Sequence, residues 1–539
     1  MPVDVLNNFH APVSAWFQDV FDEPTAVQTQ AWQSIAEGNN TLVVAPTGSG
    51  KTLAAFLWSL SELSRKPATG TRVLYISPLK ALGVDVNRNL AAPLAGVART
   101  AEALGESVPE IRVGVRSGDT PQSQRAKLVR NPPEILITTP ESLYLMLTSN
   151  AAGTLRNVDT VILDEVHAVA GTKRGSHLAL SLERLEMLTD QPPQRIGLSA
   201  TVNPIDTVAS FLAGDRPVTV VNPEMRKHWD VKVRSVVDDF QEPPATEVEG
   251  ESALPQKSSV WPHVNKAIYD QVLENHSTLV FVNSRRAAER LTGALNETWA
   301  EDNDPESLVA GRRDPAQLMA QSDKVAGAAP VIARAHHGSV SKDEREEIEE
   351  ALKAGRIKCV VATSSLELGI DMGLVDHVIQ VGAPPSVASA VQRCGRAGHT
   401  VGAVSAATIY PLHKQDAETA TVVVERMLRG ELEPLHVVRN ALDVLAQQTV
   451  AAAAYAGTLD IEKWWEAVRR SFPYATLHRD AFDGVIALIS GYYPSTDFSD
   501  LRPRVVYDPV AGTLEARPGA QRIAVTTGGT IPDLSLIHI

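Results

Sequence analysis

Short apolar runs rich in Val, Ile and Leu recur along the first part of the chain, at 41–45, 72–77, 111–115, 135–138, 160–163 and 195–198. Each is followed by turn or helix-forming residues. A strand buried on both faces reads as a compact run of this kind, and its alternation with helical stretches predicts a parallel sheet covered by helices. A second set follows at 277–282, 332–336, 358–362, 377–381 and 404–410. The α/β pattern therefore occurs twice, once up to about residue 215 and again from about 265 to 425.

Two stretches break the pattern. Residues 238–259 are rich in Glu, Pro and Ser, and 301–330 are polar and end in Ala and Gly, so both are expected to be surface loops. Beyond 430 the period becomes helical, with helices expected at 436–454, 461–470 and 479–490. Two strand-like runs, 504–507 and 514–517, flank Asp508-Pro509-Val510-Ala511-Gly512 and read as a hairpin. Three helices and a hairpin suggest a winged helix. The chain then ends on apolar residues after Thr526–Asp533, which reads as the start of a new element in a truncated product.

Composition narrows the classes. A length of 539 residues is enough for three or four domains, and 44% hydrophobic with 21% charged residues is ordinary for a soluble chain. With only Cys359 and Cys394, there is no disulfide scaffold, zinc ribbon or iron–sulfur site, and a reducing cytoplasm is the expected home. Cys359 is expected to be buried, and Cys394, beside arginines, is a candidate for modification only on its sequence neighbourhood. No apolar run is long enough to span a bilayer, and residues 1–17 carry no basic residue ahead of an apolar stretch, unlike a signal peptide. The net charge of −14, from 50 basic and 64 acidic residues, excludes binding nucleic acid by bulk attraction and leaves only a local groove.

Three clusters carry chemistry. Ala45-Pro46-Thr47-Gly48-Ser49-Gly50-Lys51-Thr52 follows a strand and opens a helix expected at 53–61, the setting of a phosphate-binding loop. Its backbone amides and helix N-terminus suit phosphates, Lys51 would reach the β- and γ-phosphates, and the Thr52 hydroxyl would ligate Mg²⁺. Ala45 stands where the pattern usually has Gly. Asp164-Glu165-Val166-His167 ends the run 161–163, which places two carboxylates at the carboxyl edge of a sheet, where ligands bind. Asp164 would hold the metal through water, and Glu165 would polarise the attacking water. In the second α/β set, Arg393 and Arg396 are three residues apart and share a face if helical. A guanidinium supplied to a transferring phosphoryl group is worth about 10³–10⁵ in rate.

With these residues in place, the chain resembles superfamily 2 helicases and, among them, the Lhr (large helicase-related) family. The resemblance covers about residues 20–400. It runs through Pro24-Thr25-Ala26-Val27-Gln28, the phosphate loop, Ser77-Pro78-Leu79-Lys80-Ala81-Leu82, Arg116-Ser117-Gly118-Asp119-Thr120, Thr138-Thr139-Pro140-Glu141-Ser142-Leu143, the Asp-Glu-Val-His box and Ser199-Ala200-Thr201. It continues through Phe281-Val282-Asn283-Ser284-Arg285-Arg286, His336-His337-Gly338-Ser339-Val340, the run from Ala362-Thr363 to Asp371, and the two arginines. Later signatures are the helical run from His436 and Arg517-Pro518-Gly519-Ala520-Gln521-Arg522. The last of these motifs ends in His399, where many helicases have Arg.

The resemblance implies an α/β fold of two tandem RecA-like parallel-sheet domains, 1–220 and 221–430, followed by a mostly helical winged-helix domain at 431–520. Residues 521–539 would begin a truncated family-specific domain. It implies an ATP- and Mg²⁺-dependent motor that moves 3′ to 5′ on single-stranded DNA and unwinds duplexes, RNA:DNA hybrids included, in DNA repair, as a monomer with no membrane and no structural metal. By resemblance Gln28 reads adenine, residues Thr47, Gly48, Ser49, Gly50, Lys51 and Thr52 hold phosphates, and Thr52 and Asp164 hold the metal. Gly369, Asp371, Arg393 and Arg396 complete the site from the second domain. Backbone-directed strand contacts fall on Pro78, Lys80, Thr139, Arg285, Ser339 and Thr363, and Ser199 and Thr201 would couple the two sites. Of the aromatics Trp464, Trp465, Tyr492 and Tyr493, most are expected in the core, with base stacking as the alternative. An RNA-directed helicase of a related group, a nucleotide-switched scaffold and a fragment that folds poorly without further chain remain open alternatives at this level.

Overall fold

The computed structural model describes residues 5–46, 48–224, 227–244, 259–305, 331–367, 373, 375–398, 403–492 and 502–530. They form two compact units. One comprises residues 1–45, 49–223 and 434–539, and the other 46–48 and 224–433.

The first unit is built on seven parallel strands: β1 Thr41–Val44, β2 Val73–Ile76, β3 Val113–Arg116, β4 Ile135–Thr138, β5 Thr160–Leu163, β6 Gln194–Ser199 and β7 Thr219–Val221, in the order β3-β4-β2-β5-β6-β1-β7. Around them lie α1 Ala11–Val20, α2 Ala26–Ala36, α3 Lys51–Arg65, α4 Lys80–Ala103, α5 Gln122–Arg130, α6 Pro140–Leu147, α7 Val166–Ala170, α8 Lys173–Leu188 and α9 Ile205–Ala213. All four residues of β1, β2 and β4 are buried, which is why these strands read as continuous apolar runs. Leu42, Leu74, Leu136, Val161 and Leu163 join α6, α8 and α9 in one core.

The second unit holds a six-stranded parallel sheet: β8 His228–Val233, β9 Thr278–Phe281, β10 Ala333–His336, β11 Cys359–Ala362, β12 His377–Val381 and β13 Val404–Tyr410, in the order β10-β11-β9-β12-β13-β8. Its helices are α10 Trp261–Glu274, α11 Arg285–Asn303, α12 Lys342–Lys353, α13 Val387–Cys394 and α14 Lys414–Arg429. The expected strands are present to within two residues at each end, but β7 and β8 were not anticipated. Both lie at sheet edges, and β8 alternates exposed and half-buried residues, so neither carries a buried apolar run. Residues 301–303 of the second expected loop belong instead to α11, which runs on to Asn303, and Tyr269 donates its hydroxyl to Asp302 Oδ2 at 2.8 Å. Residues 245–258 and 306–330 of the two expected loops lie outside the described residues.

The C-terminal region packs within the first unit. It runs α15 Leu442–Ala456, β14 Thr458–Asp460, α16 Ile461–Arg470, α17 Arg479–Ser490, β15 Val505–Asp508, β16 Thr513–Ala516 and α18 Ala520–Thr526, with antiparallel order β14-β16-β15. Helix–strand–helix–helix followed by a two-stranded wing is a winged helix. It docks on α8. Arg184 is buried, has no carboxylate partner among the described residues, and donates to Gln448 Oε1 at 2.9 Å and to the Leu147 carbonyl at 2.8 Å. Gln448 in turn donates to the His177 carbonyl and to Ser181. Next to it, Glu183 accepts from Arg195, Arg216 and Arg470, the last contributed by α16. Burial alone would raise the Glu183 carboxyl, but Arg195 and Arg216 hold it below its ordinary value. Removing one partner from a buried network of this kind costs about 3–5 kcal/mol.

Trp464 is core, its indole donating to Thr449 Oγ1 at 2.9 Å, and Trp465 packs edge-on against Phe482. Tyr492 is 66% exposed, and Tyr493 lies outside the described residues. Cys359 and Cys394 are both buried, and burial pushes the Cys394 thiol up to about 12, so its neighbouring arginines do not make it reactive. No helix among the described residues is long and apolar enough to cross a membrane.

Candidate nucleotide site and strand-contact edge

The carboxyl edge of the first sheet divides into two halves. Strands β1, β5 and β6, adjacent in the order β5-β6-β1, end in the phosphate loop, the Asp-Glu-Val-His box and Ser199-Ala200-Thr201. Strands β3, β4 and β2 end in Arg116, Thr138 and Ile76, ahead of the candidate strand contacts.

In the first half, α3 starts directly at Lys51, two residues earlier than expected. Gly48 and Gly50 have φ of 81° and 82°, the left-handed region that favours glycine. A Cβ on Gly50 would also sit 2.6 Å from Gln28 Nε2, so the loop and the glutamine are fitted to each other. Gln28 is held there by a capping box: Thr25 Oγ1 accepts from the Gln28 amide, and the Thr25 amide donates to Gln28 Oε1 at 2.9 Å. Thr25 also donates its hydroxyl to the Ser49 carbonyl at 3.2 Å. The Lys51 ammonium donates to the carbonyls of Ala45 (2.7 Å) and Ser199 (3.3 Å), which parks it over the mouth of the loop. Thr52 is half-buried on the first turn of α3, and Thr47 lies outside the described residues.

Asp164 Oδ1 accepts from the Glu165 amide at 2.9 Å, and its other oxygen accepts from the Tyr75 hydroxyl. Burial pushes the Asp164 carboxyl up to about 7, with the neighbouring Glu165 adding to the rise and Tyr75 and Lys51 opposing it. Glu165 takes φ of 42°, a strained backbone for a non-glycine residue that costs about 1–3 kcal/mol and is characteristic of functional sites. Its Oε2 is buried, accepts no hydrogen bond and lies 3.5 Å from His167 Nδ1. Two adjacent buried carboxylates and the Thr52 hydroxyl on the first turn of α3 are hard-oxygen donors of the kind that suit a divalent cation such as Mg²⁺. Thr52 and Asp164 would hold it and supply charge neutralisation to phosphates cradled by the loop.

His167 connects this pair to β6. Its Nδ1 lies 3.2 Å from Ser199 Oγ and accepts from the Ala200 amide at 3.4 Å. Ser199 therefore touches both Lys51, through its carbonyl, and His167, through its hydroxyl. Thr201 is exposed and joins neither contact.

The other half of the edge is more open. Lys80 is exposed and ion-paired to Asp119 at 2.6 Å. Thr139 is buried, and its hydroxyl caps α6 by accepting from the Ser142 amide. Pro78 is buried ahead of α4. Sequence reasoning had no signal for Tyr75, which sits inside an apolar strand. Asp119 was visible only as part of a motif.

In the second unit the same division holds. Arg285, Ser339 and Thr363 follow β9, β10 and β11, adjacent strands, and Arg285 Nη1 donates to Ser339 Oγ at 2.9 Å. Arg393 and Arg396 follow β12 at the end of α13. Arg393 is buried and donates to Glu367, to Asn283 Oδ1 (3.0 Å) and to Gln380 Oε1 (2.9 Å), with Phe281 beneath it. Arg396 is buried too and donates to the Glu367 carbonyl at 2.7 Å. Asn283 and Glu367 were visible only as parts of motifs, and Gln380 carried no sequence signal. Gly369, Asp371 and His399 lie outside the described residues.

Two parallel α/β sheets, the first with a glycine-rich loop and an Asp-Glu pair at its carboxyl edge, fit the class of two-domain helicase cores. Residues 25–209 match the DEAD/DEAH box helicase family, 316–400 the helicase conserved C-terminal domain, and 425–539 the winged-helix domain of large helicase-related protein. The chain is 56% identical to the Lhr helicase/probable uracil glycosylase of Mycolicibacterium smegmatis over 99% of its own length and 35% of the relative's. It is 51% identical to the Lhr helicase/uracil glycosylase of Escherichia coli over its full length and 36% of that protein. The solved structure of Mycobacterium smegmatis helicase Lhr bound to ssDNA and AMP-PNP superposes with a TM-score of 0.85 at 54% identity, covering 98% of this chain and 63% of that one. The chain belongs to the Lhr family of superfamily 2 helicases, and it spans about a third of the length of these two bacterial relatives.

Proposed function

We propose that the chain is an ATP- and Mg²⁺-dependent nucleic-acid motor that hydrolyses ATP to move along single-stranded DNA and unwind duplexes. The observation that carries this is Ser199, which is hydrogen-bonded to Lys51 on one side and His167 on the other, at the end of β6 between the phosphate-loop and Asp-Glu strands. Glu165, whose buried Oε2 accepts no hydrogen bond and faces His167, orients and deprotonates the attacking water. Lys51 exchanges two carbonyls for phosphate oxygens, Gln28 contacts adenine, and Thr47 to Thr52 cradle the phosphates. Arg393, Arg396, Gly369 and Asp371 are the second domain's share of the ATP contacts. Pro78, Lys80, Thr139, Arg285, Ser339 and Thr363 grip the sugar–phosphate backbone, so the motor reads little sequence. The motor domains are residues 1–220 and 221–430, with the winged helix at 431–520.

The substrate is single-stranded DNA with RNA:DNA hybrid as a second, polarity is 3′ to 5′, and the role is DNA repair by a monomer in the cytoplasm, on the nucleoid. The helicase of M. smegmatis bound to ssDNA and AMP-PNP supports the strand and the nucleotide. The test is unwinding of 3′-tailed and 5′-tailed duplexes, with DNA and RNA loading strands of equal length. Unwinding of the 3′-tailed DNA substrate alone supports the reading. A preference for the RNA loading strand would favour the RNA-directed alternative, because a site built around the 2′-hydroxyl prefers RNA.

A further inference from the structure

In a winged helix the second helix of the helix–turn–helix pair, here α17, is the element that enters a major groove. This one is poorly suited to it. Asp480 and Asp483 are its exposed charges, and Arg479 is tied to Glu462 (2.7 Å) and Asp483 (2.9 Å). Phosphates are repelled by such a face.

The base of the wing has the opposite charge. At this end of the β15–β16 ladder the first residue beyond the pairing is an arginine on both strands: Val505 pairs with Ala516, and the Arg517 amide donates to the Arg504 carbonyl at 2.9 Å. Like charges directly opposite across an antiparallel ladder are destabilising. Arg502 is exposed two residues before, and Arg522 is exposed on α18. None of the four makes an ion pair with any described residue. The nearby carboxylates are engaged elsewhere. Glu515 accepts from Thr458 Oγ1, and Asp508 caps the wing tip by accepting from the Val510 and Ala511 amides. The Arg504 amide donates to the Ile489 carbonyl, which anchors the strand to the end of α17.

We propose that Arg502, Arg504, Arg517 and Arg522 form a phosphate-backbone contact for nucleic acid at the base of the wing, so that this winged helix engages its partner through the wing and not through its recognition helix. The inference rests on the nucleic-acid motor reading above. A phosphodiester strand is the partner these groups fit: it presents one negative charge per about 3.4 Å of axis, and planar guanidiniums bind phosphate oxygens in pairs. It would also relieve the Arg504–Arg517 repulsion.

The test is fluorescence anisotropy across a salt series, with labelled single-stranded DNA, blunt duplex and 3′-tailed duplex, for wild type and Arg504→Ala/Arg517→Ala. The expected result is a log affinity–log salt slope smaller by about 2, with a loss of about tenfold or more in affinity near physiological salt. The Arg504→Lys/Arg517→Lys variant restores the slope, and Lys463→Ala, an exposed charge on α16, leaves it as in wild type. A loss seen with both duplex-bearing probes assigns the surface to duplex, and a loss confined to single strands assigns it to the tracking strand. An unchanged slope in a double variant with wild-type melting temperature overturns the proposal and leaves the motor reading intact. No binding by the wild type to any probe overturns both.

Discussion

The two halves of the first sheet's carboxyl edge are made differently. On the β5-β6-β1 side, Lys51, Asp164, Glu165, His167 and Ser199 are held by one another and by backbone, mostly out of water. On the β3-β4-β2 side, Lys80 is an exposed ion pair and Thr139 is a helix cap. Phosphoryl transfer rewards preorganised groups at fixed positions, because they act only on charge that develops in the transition state. Holding a sugar–phosphate backbone rewards many weak, replaceable contacts. The same polypeptide geometry thus supports a site sensitive to single atoms beside one tolerant of single losses.

The largest effect is expected at Glu165. Glu165→Gln should lower the hydrolysis rate by about 10²–10⁴ while ATP still binds, as measured by steady-state turnover and nucleotide affinity side by side. A loss of binding with no loss of turnover per bound ATP would break the contrast. Ser199→Ala keeps the carbonyl that holds Lys51 and removes the hydroxyl that meets His167. Stimulation of hydrolysis by DNA should fall about 5–150-fold, with unstimulated turnover within a few-fold of wild type. Equal losses in both would mean that Ser199 serves only the nucleotide half.

Helix α8 gives a prediction on stability. Burial, with Arg184 next, pushes the His177 imidazole down to about 4. The folded state therefore binds this proton less readily than the unfolded chain, whose histidine titrates near 6.5. Stability from this residue is fully present above about pH 6.5 and is lost as pH falls toward 4, at up to about 3 kcal/mol. Denaturant melts from pH 7 to 5 should show a shallower decline for His177→Phe than for wild type. The smallest effect belongs to the open half. Lys80→Ala should lower single-strand affinity only several-fold and the salt slope by about 1, with hydrolysis at saturating strand nearly unchanged.

The sequence made the nucleotide half legible because its chemistry needs particular residue types at fixed spacing after buried strands: glycines with Lys51, then Asp164-Glu165. The strands themselves showed as apolar runs because both faces are buried. Edge strands β7 and β8 did not, since one-sided burial leaves polar residues interspersed. The pairing of Tyr75 with Asp164, and of Arg393 with Glu367, Asn283 and Gln380, was invisible, because such contacts join residues far apart in the chain with no local pattern. The docking of α15 on α8 was hidden for the same reason: Arg184 and Gln448 are 264 positions apart.

The most direct measurement is steady-state ATP hydrolysis by this 539-residue chain with Mg²⁺, with and without single-stranded DNA, beside Lys51→Ala. The account predicts hydrolysis that DNA stimulates and that the Lys51 variant lacks. A folded chain that binds ATP and DNA yet shows no Lys51-dependent hydrolysis would contradict it and leave the nucleotide-switched scaffold as the better reading.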